Sequence, residues 1–217
     1  MIGYFVTGTD TNVGKTYVTC ALARRARELG RRVFAFKPFE SGCAQRADGS
    51  YVGADQALLV EAAGGWQRGT LAGLYQLALP AAPLVAAEAA GTTIDLDRIV
   101  ETVRLGAGES RAELTLVEGA GGWRVPLTAT DDTSSLARAL SLPVLIVARA
   151  GLGTINHTLL SIEAVERDGL PLAAVVFSRR PDDNVSGALR NRDEVLRRWS
   201  GAVLMLRADP AALDPLL

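Results

Sequence analysis

The stretch Gly8-Thr9-Asp10-Thr11-Asn12-Val13-Gly14-Lys15-Thr16 follows the apolar run Ile2–Val6 and precedes a helix-compatible run from Tyr17 to Leu29. Strand, glycine-bearing loop and helix in that order predict a phosphate-binding turn. Successive loop N–H groups and the first turn of the helix present donors and a positive dipole end to an anion. Lys15 adds a point charge, and the Thr16 hydroxyl can ligate Mg2+. These parts point to a nucleoside triphosphate. The usual pattern wants glycine where this chain has Thr9, and Gly8 comes one residue early. The loop therefore reads as a variant in which the permissive turn has moved by one place.

Working outward, Gly30 stops the first helix and Val33–Phe36 reads as a second strand. Its end delivers Lys37-Pro38-Phe39-Glu40-Ser41-Gly42 to the rim of the phosphate loop, because ligands of open parallel sheets bind beyond the carboxyl ends of strands. Lys15 and Lys37 are the only two lysines among 23 basic residues. A compact ammonium approaches an anionic oxygen from a single direction, which a guanidinium fork cannot reproduce. Asp55 stands near the start of a helix and reads either as its cap or as a ligand. Leu114–Val117 is a buried-strand candidate ending in Glu118-Gly119-Ala120-Gly121-Gly122-Trp123. An acidic residue there is where this architecture places a magnesium-directed carboxylate.

Helices are expected over Leu84–Ala90, Leu96–Leu105 with Asp95 as cap, and Asp132–Leu140. Leu142–Ala148 is the clearest strand, with Gly151–His157 as its outgoing loop feeding a helix to Arg167. His157, the single histidine, reads as a capping or packing residue. A strand over Leu172–Phe177, an arginine-studded helix over Val185–Trp199 and a last strand over Ala202–Leu206 complete the series. Alternating strands and helices predict an α/β fold of three layers, a mainly parallel sheet covered by helices on both faces. One domain is expected over residues 1–217.

Composition agrees: 217 residues are 48% hydrophobic, 22% charged and only 6% aromatic. A net charge of -1 gives no overall field for nucleic acid or an anionic membrane. Cys20 and Cys43 lack metal-type spacing, and Cys20 reads as a small buried apolar residue. With no signal peptide or long apolar span expected, a reducing cytoplasm is the expected compartment.

The chain resembles the dethiobiotin synthetases of biotin biosynthesis. The resemblance rests on Thr7–Thr16, on Lys37-Pro38 with Ser41-Gly42, on Val117–Trp123 and on Leu152-Gly153-Thr154-Ile155-Asn156-His157, in the family's order. It implies ATP-dependent ring closure: diaminopelargonic acid takes up CO2 as a carbamate, ATP phosphorylates the carbamate, and the second amine closes the cyclic urea. The resemblance assigns catalytic roles to Lys37, Lys15 and Thr11, and magnesium to Thr16, Asp55 and Glu118. It implies nucleotide contacts at Asn12, Val13, Gly14, Lys15, Thr16, Tyr17, Asp55, Glu118, Gly119, Ala120, Gly121, Ser178 and Arg179. Ser41 would contact the diamine. A homodimer is also implied, in which Gly153, Thr154, Ile155 and Asn156 of one subunit help bind substrate carried by the other.

Two stretches depart from the family pattern. Ser178-Arg179-Arg180 stands where many members carry an adenine-reading asparagine, and Arg207-Ala208-Asp209-Pro210 replaces a glycine-and-proline turn. One hydroxyl replaces an amide that both donates and accepts, so relaxed base selectivity is expected. The rivals are a partitioning ATPase of the same fold and a nucleotide-binding regulator. Partitioning ATPases usually carry an extra lysine near the loop's start, where this chain has Gly8-Thr9-Asp10. A pure binder has no evident need for Lys37 beside Ser41.

Overall fold

The computed structural model describes residues 2–179 and 183–217, so Arg180 lies outside the described residues. The strands are β1 (Ile2–Gly8), β2 (Val33–Phe36), β3 (Phe39–Ser41), β4 (Ala44–Gln45), β5 (Tyr51–Val52), β6 (Tyr75–Leu77), β7 (Leu114–Gly122), β8 (Val144–Arg149), β9 (Leu172–Ser178) and β10 (Val203–Leu206). The helices are α1 (Lys15–Glu28), α2 (Ala54–Ala62), α3 (Pro83–Ala89), α4 (Leu96–Glu109), α5 (Thr133–Leu140), α6 (Thr154–Arg167) and α7 (Val185–Leu196). Six strands form a parallel sheet in the order β10-β9-β8-β1-β7-β2. β1 is central, and its end sits between the ends of β7 and β8.

Alternate residues of each strand point to opposite faces, and each face has its own core. Phe5, Phe34, Phe36, Val117, Ile146 and Phe177 pack with α3 to α7 residues such as Ile99, Leu136, Ile162 and Val195. Val6, Ala35, Leu116, Val147 and Val176 pack with Val18 and Leu22 of α1 and Leu59 of α2. These strands are buried on both faces, which explains their continuous apolar runs. Cys20 belongs to the second core, and burial pushes its thiol up to about 12.

Three differences from the sequence reading matter for the site. β7 does not end at Val117 but runs on to Gly122, because Val6 and Gly8 of β1 pair with Glu118 and Gly122. The loop after β8 ends at Gly153 rather than His157: Gly153 caps α6 with φ 88, so Thr154, Ile155 and Asn156 are helical. Beyond β10, a 3-10 segment over Pro210–Leu216 closes the α1 face. Leu213 and Leu216 are buried there, Tyr4 donates to the Leu216 carbonyl at 2.9 Å, and Arg25 pairs with Asp214 at 2.7 Å.

Candidate active site

The loop between β1 and α1 crosses the end of the sheet, and its glycines answer to contacts rather than to a motif. Thr9 has no positive φ and needs no glycine; Asn12 (φ 58) and Gly14 (φ 100) carry the left-handed turns. Gly8 is required by close approach: a Cβ there would meet the Asp10 carbonyl at 2.8 Å, Val13 Cγ2 at 2.9 Å and Lys15 Nζ at 3.0 Å. Lys15 folds back over this spot and donates to the Asp10 carbonyl at 2.9 Å. Burial pulls its ammonium down to about 8, against the opposing pull of the Glu118 carboxylate. An incoming phosphate would restore full protonation.

The carboxylate of Glu118 lies beneath the loop with no exposed surface. It accepts from three donors: the Thr16 hydroxyl at 2.8 Å and Lys37 Nζ at 3.1 Å on Oε1, and the Thr19 hydroxyl at 3.0 Å on Oε2. Lys37 also pairs closely with Asp55. Burial opposes its charge, but the Glu118 and Asp55 carboxylates outweigh burial and hold its pKa above the usual lysine value. The Lys37 main-chain N–H donates to Gln56 Oε1 at 2.6 Å, so the lysine is fixed at both ends. Asp55 is not the cap of α2; that position belongs to Gly53, and the N–H groups of Asp55 and Gln56 go to Glu40.

A cleft of about 830 Å³ brings together Thr11, Asn12, Gly14, Lys15, Thr16, Tyr17, Lys37, Ser41, Asp55, Ala120 and Gly121, while Glu118 is buried beneath these residues and does not itself line it. Val13 instead turns its side chain into the core, and Gly119 packs on Phe5 and Thr133. Ser178 is buried under Gly14, and Arg179 donates to the Asp183 carbonyl at 3.0 Å; neither lines the cleft. Residues 153–156 also lie apart from it. Thr154 is buried beside Thr158, while Ile155 lines a separate hollow of about 390 Å³ against α7.

Sequence reasoning missed Thr19, Glu40 and Gln56. Thr19 was legible in principle, since it falls one helical turn after Thr16 and shares its face. Gln56 follows Asp55, and Glu40 lies inside the quoted Lys37–Gly42 stretch, but their partners depend on tertiary contacts.

A hydroxyl and two carboxylates gathered at Lys37 are hard oxygen donors of the kind Mg2+ takes, with nucleotide phosphates and waters completing its shell. Among the described residues, no three His, Cys, Asp or Glu cluster to hold a metal alone.

One substitution tests the loop directly. A Cβ on Gly14 would run into the Ser178 side chain and would also sit at φ 100. Gly14→Ala is expected to weaken ATP binding by about 100-fold or more, from clash plus backbone strain. Isothermal titration with ATP checks this, and an unchanged affinity would show that the loop is not the phosphate cradle.

Parallel sheet order, a lysine-bearing loop after the central strand, and an acidic residue on the adjacent strand define a P-loop nucleoside triphosphatase fold. A family model described as an AAA domain matches residues 3–204. Solved structures agree at the level of fold. The MinC:MinD cell division complex of Aquifex aeolicus aligns with a TM-score of 0.61 at 13% identity, covering 100% of this chain and 85% of that one. The signal recognition particle receptor FtsY of Elizabethkingia anophelis gives 0.55 at 15% identity, covering 99% and 65%. Sequence similarity is far closer to the ATP-dependent dethiobiotin synthetase BioD of Anaeromyxobacter dehalogenans (strain 2CP-C), 46% identical over 99% of this chain and 90% of the relative. The protein of the same name from Pseudomonas aeruginosa (strain UCBPP-PA14) is 44% identical over 81% and 76%. The chain belongs to the ATP-dependent dethiobiotin synthetase family.

Proposed function

We propose that this cleft closes the ureido ring of dethiobiotin, consuming diaminopelargonic acid, CO2 and ATP. The observation that carries the reading is the meeting, in one cleft, of the Lys15 loop, the doubly paired Lys37 and Ser41. A pure nucleotide binder has no use for a second buried ammonium aimed at the phosphate rim.

In the proposed sequence, one amine of the diamine attacks CO2, forming an N–C bond and losing a proton to give a carbamate. A carbamate oxygen then attacks the γ-phosphorus while its bond to the bridging oxygen breaks, releasing ADP. The second amine attacks the carbonyl carbon, the C–O bond to phosphate breaks, and phosphate leaves as the amine gives up its proton. Lys37 steadies the carbamate and phosphoryl oxygens, Lys15 the transferring γ-phosphoryl, and Thr11 the phosphates. Positioning and charge neutralisation are most of what phosphoryl transfer asks of a protein. Mg2+ held by Thr16, Asp55 and Glu118 would supply charge neutralisation at the phosphate oxygens. Ser41, on the cleft wall, would orient the diamine.

The exposed N-terminal end of α6, with Leu152 94% exposed beside Gly153, fits a homodimer in which residues 153–156 serve the partner's cleft. We read residues 1–217 as one catalytic domain, acting in the cytoplasm, where Cys20 and Cys43 stay reduced. No helix among the described residues is long and apolar enough to cross a membrane.

The test is direct. With MgATP and bicarbonate, the purified protein is expected to release ADP and form dethiobiotin in equal amounts only when the diamine is added. ADP that does not rise above background with the diamine present would overturn the reading.

A further inference from the structure

We propose that Glu40 is the positioning residue for Asp55: its carboxylate, delivered by β3, serves as the N-terminal cap of α2 and fixes two of the three partners of Lys37. The inference rests on the reading of Asp55 and Lys37 as working groups of the cleft. The α2 helix starts after Gly53, which is extended (φ -82, ψ 126) and has no side chain with which to cap. Two free N–H groups of the first turn go instead to Glu40, Asp55 N–H to Oε1 at 2.8 Å and Gln56 N–H to Oε2 at 2.9 Å. A carboxylate at a helix N-terminus also gains from the helix dipole.

Gly53 makes room for this arrangement, since a Cβ there would run into the Glu40 carboxylate. The two residues held by Glu40 both hold Lys37, alongside Glu118: Asp55 pairs with its Nζ, and Gln56 Oε1 accepts its N–H at 2.6 Å. One side chain thus sets the position of a magnesium-directed carboxylate and of the ammonium beside it. Outer partners of this kind orient ligating carboxylates, and their loss costs about 10–100-fold in metal affinity.

The test uses the full chain, a non-hydrolysable ATP analogue and Mn2+ as a paramagnetic probe read by electron paramagnetic resonance. Amide hydrogen exchange over residues 54–57 is followed in parallel. Glu40→Ala is expected to weaken Mn2+ binding by about 10–100-fold and to speed exchange in that turn. Adding Gly53→Ser to Glu40→Ala puts a local cap into the vacated space and is expected to restore both to within about threefold. Gly53→Ser alone collides with Glu40 and is expected to lose affinity. Should Glu40→Ala fail to fold, Glu40→Gln, which keeps an acceptor for only one of the two N–H groups, is expected to show a partial loss.

Unchanged Mn2+ affinity in Glu40→Ala, or in Glu40→Gln if that variant stands in for it, would overturn the proposal. So would a double variant as weak as the single one, which would mean that Glu40 acts through its own charge. Neither readout needs the diamine. A wild type that binds Mn2+ with the nucleotide but makes no dethiobiotin would overturn the proposed function and leave this inference standing.

Discussion

Replacing Lys37 with alanine is expected to lower kcat by about 10²–10³-fold, the usual loss when one preorganised donor to developing charge is removed. Nucleotide affinity should change only a few-fold, because the Lys15 loop and its N–H groups are untouched. The ammonium is buried, fixed at its main-chain N–H by Gln56 and at Nζ by Asp55 and Glu118. It therefore costs little reorganisation when charge builds on the carbamate and γ-phosphoryl oxygens. Lys37→Arg is not expected to rescue turnover, since a planar fork does not fit a space closed around a single ammonium. Steady-state kinetics with ATP titrated at saturating diamine, together with calorimetric ATP affinity, separate the two effects. Equal losses in kcat and in affinity would reassign Lys37 to ground-state nucleotide binding.

Glu118→Gln is expected to have the next largest effect, and it separates charge from packing. The oxygen of the introduced amide can still accept from Thr16 and Lys37, while its nitrogen faces Thr19. The Thr19 hydroxyl can receive that N–H because its own proton has a second partner, the Lys15 carbonyl at 2.9 Å. The fold should therefore survive with a melting temperature within several degrees of wild type, Lys37 remaining paired with Asp55. The lost charge should weaken magnesium activation by about 10–100-fold. Magnesium titration of the rate, alongside thermal unfolding, reads both. Wild-type magnesium dependence would remove Glu118 from the metal set, and outright unfolding would make it chiefly structural.

The sheet was legible because its strands are buried on both faces. Val33–Phe36 and Leu142–Ala148 are mostly apolar without alternation; the first appears where it was expected, and the second begins at Val144, two residues later, and runs to Arg149. The phosphate loop was legible for the same local reason, although α1 opens at Lys15 rather than at the expected Tyr17. Elements set by long-range pairing were hidden. Glu118–Gly122 looks like a glycine-rich turn until β1 holds it as strand, and Thr154–Asn156 looks like loop because the helix is capped by a left-handed glycine. Pro210–Leu216, interrupted by Pro215, shows no helical period, and only burial of Leu213 and Leu216 on α1 explains its order. In the site, residue types announced Lys15, Lys37 and Glu118. Their supports, Thr19, Gln56 and Glu40, are ordinary residues whose meaning lies in what they touch. The two readings of Asp55 separate once Glu40 is seen to cap α2 in its place.

Oxygen tracing distinguishes whether carbamate and γ-phosphoryl react with each other in this cleft. A single turnover started with freshly dissolved 18O-labelled CO2, MgATP and the diamine should place one labelled oxygen in the released phosphate and one in the ureido carbonyl. Phosphate free of label, with dethiobiotin still formed, would contradict phosphorylation of the carbamate.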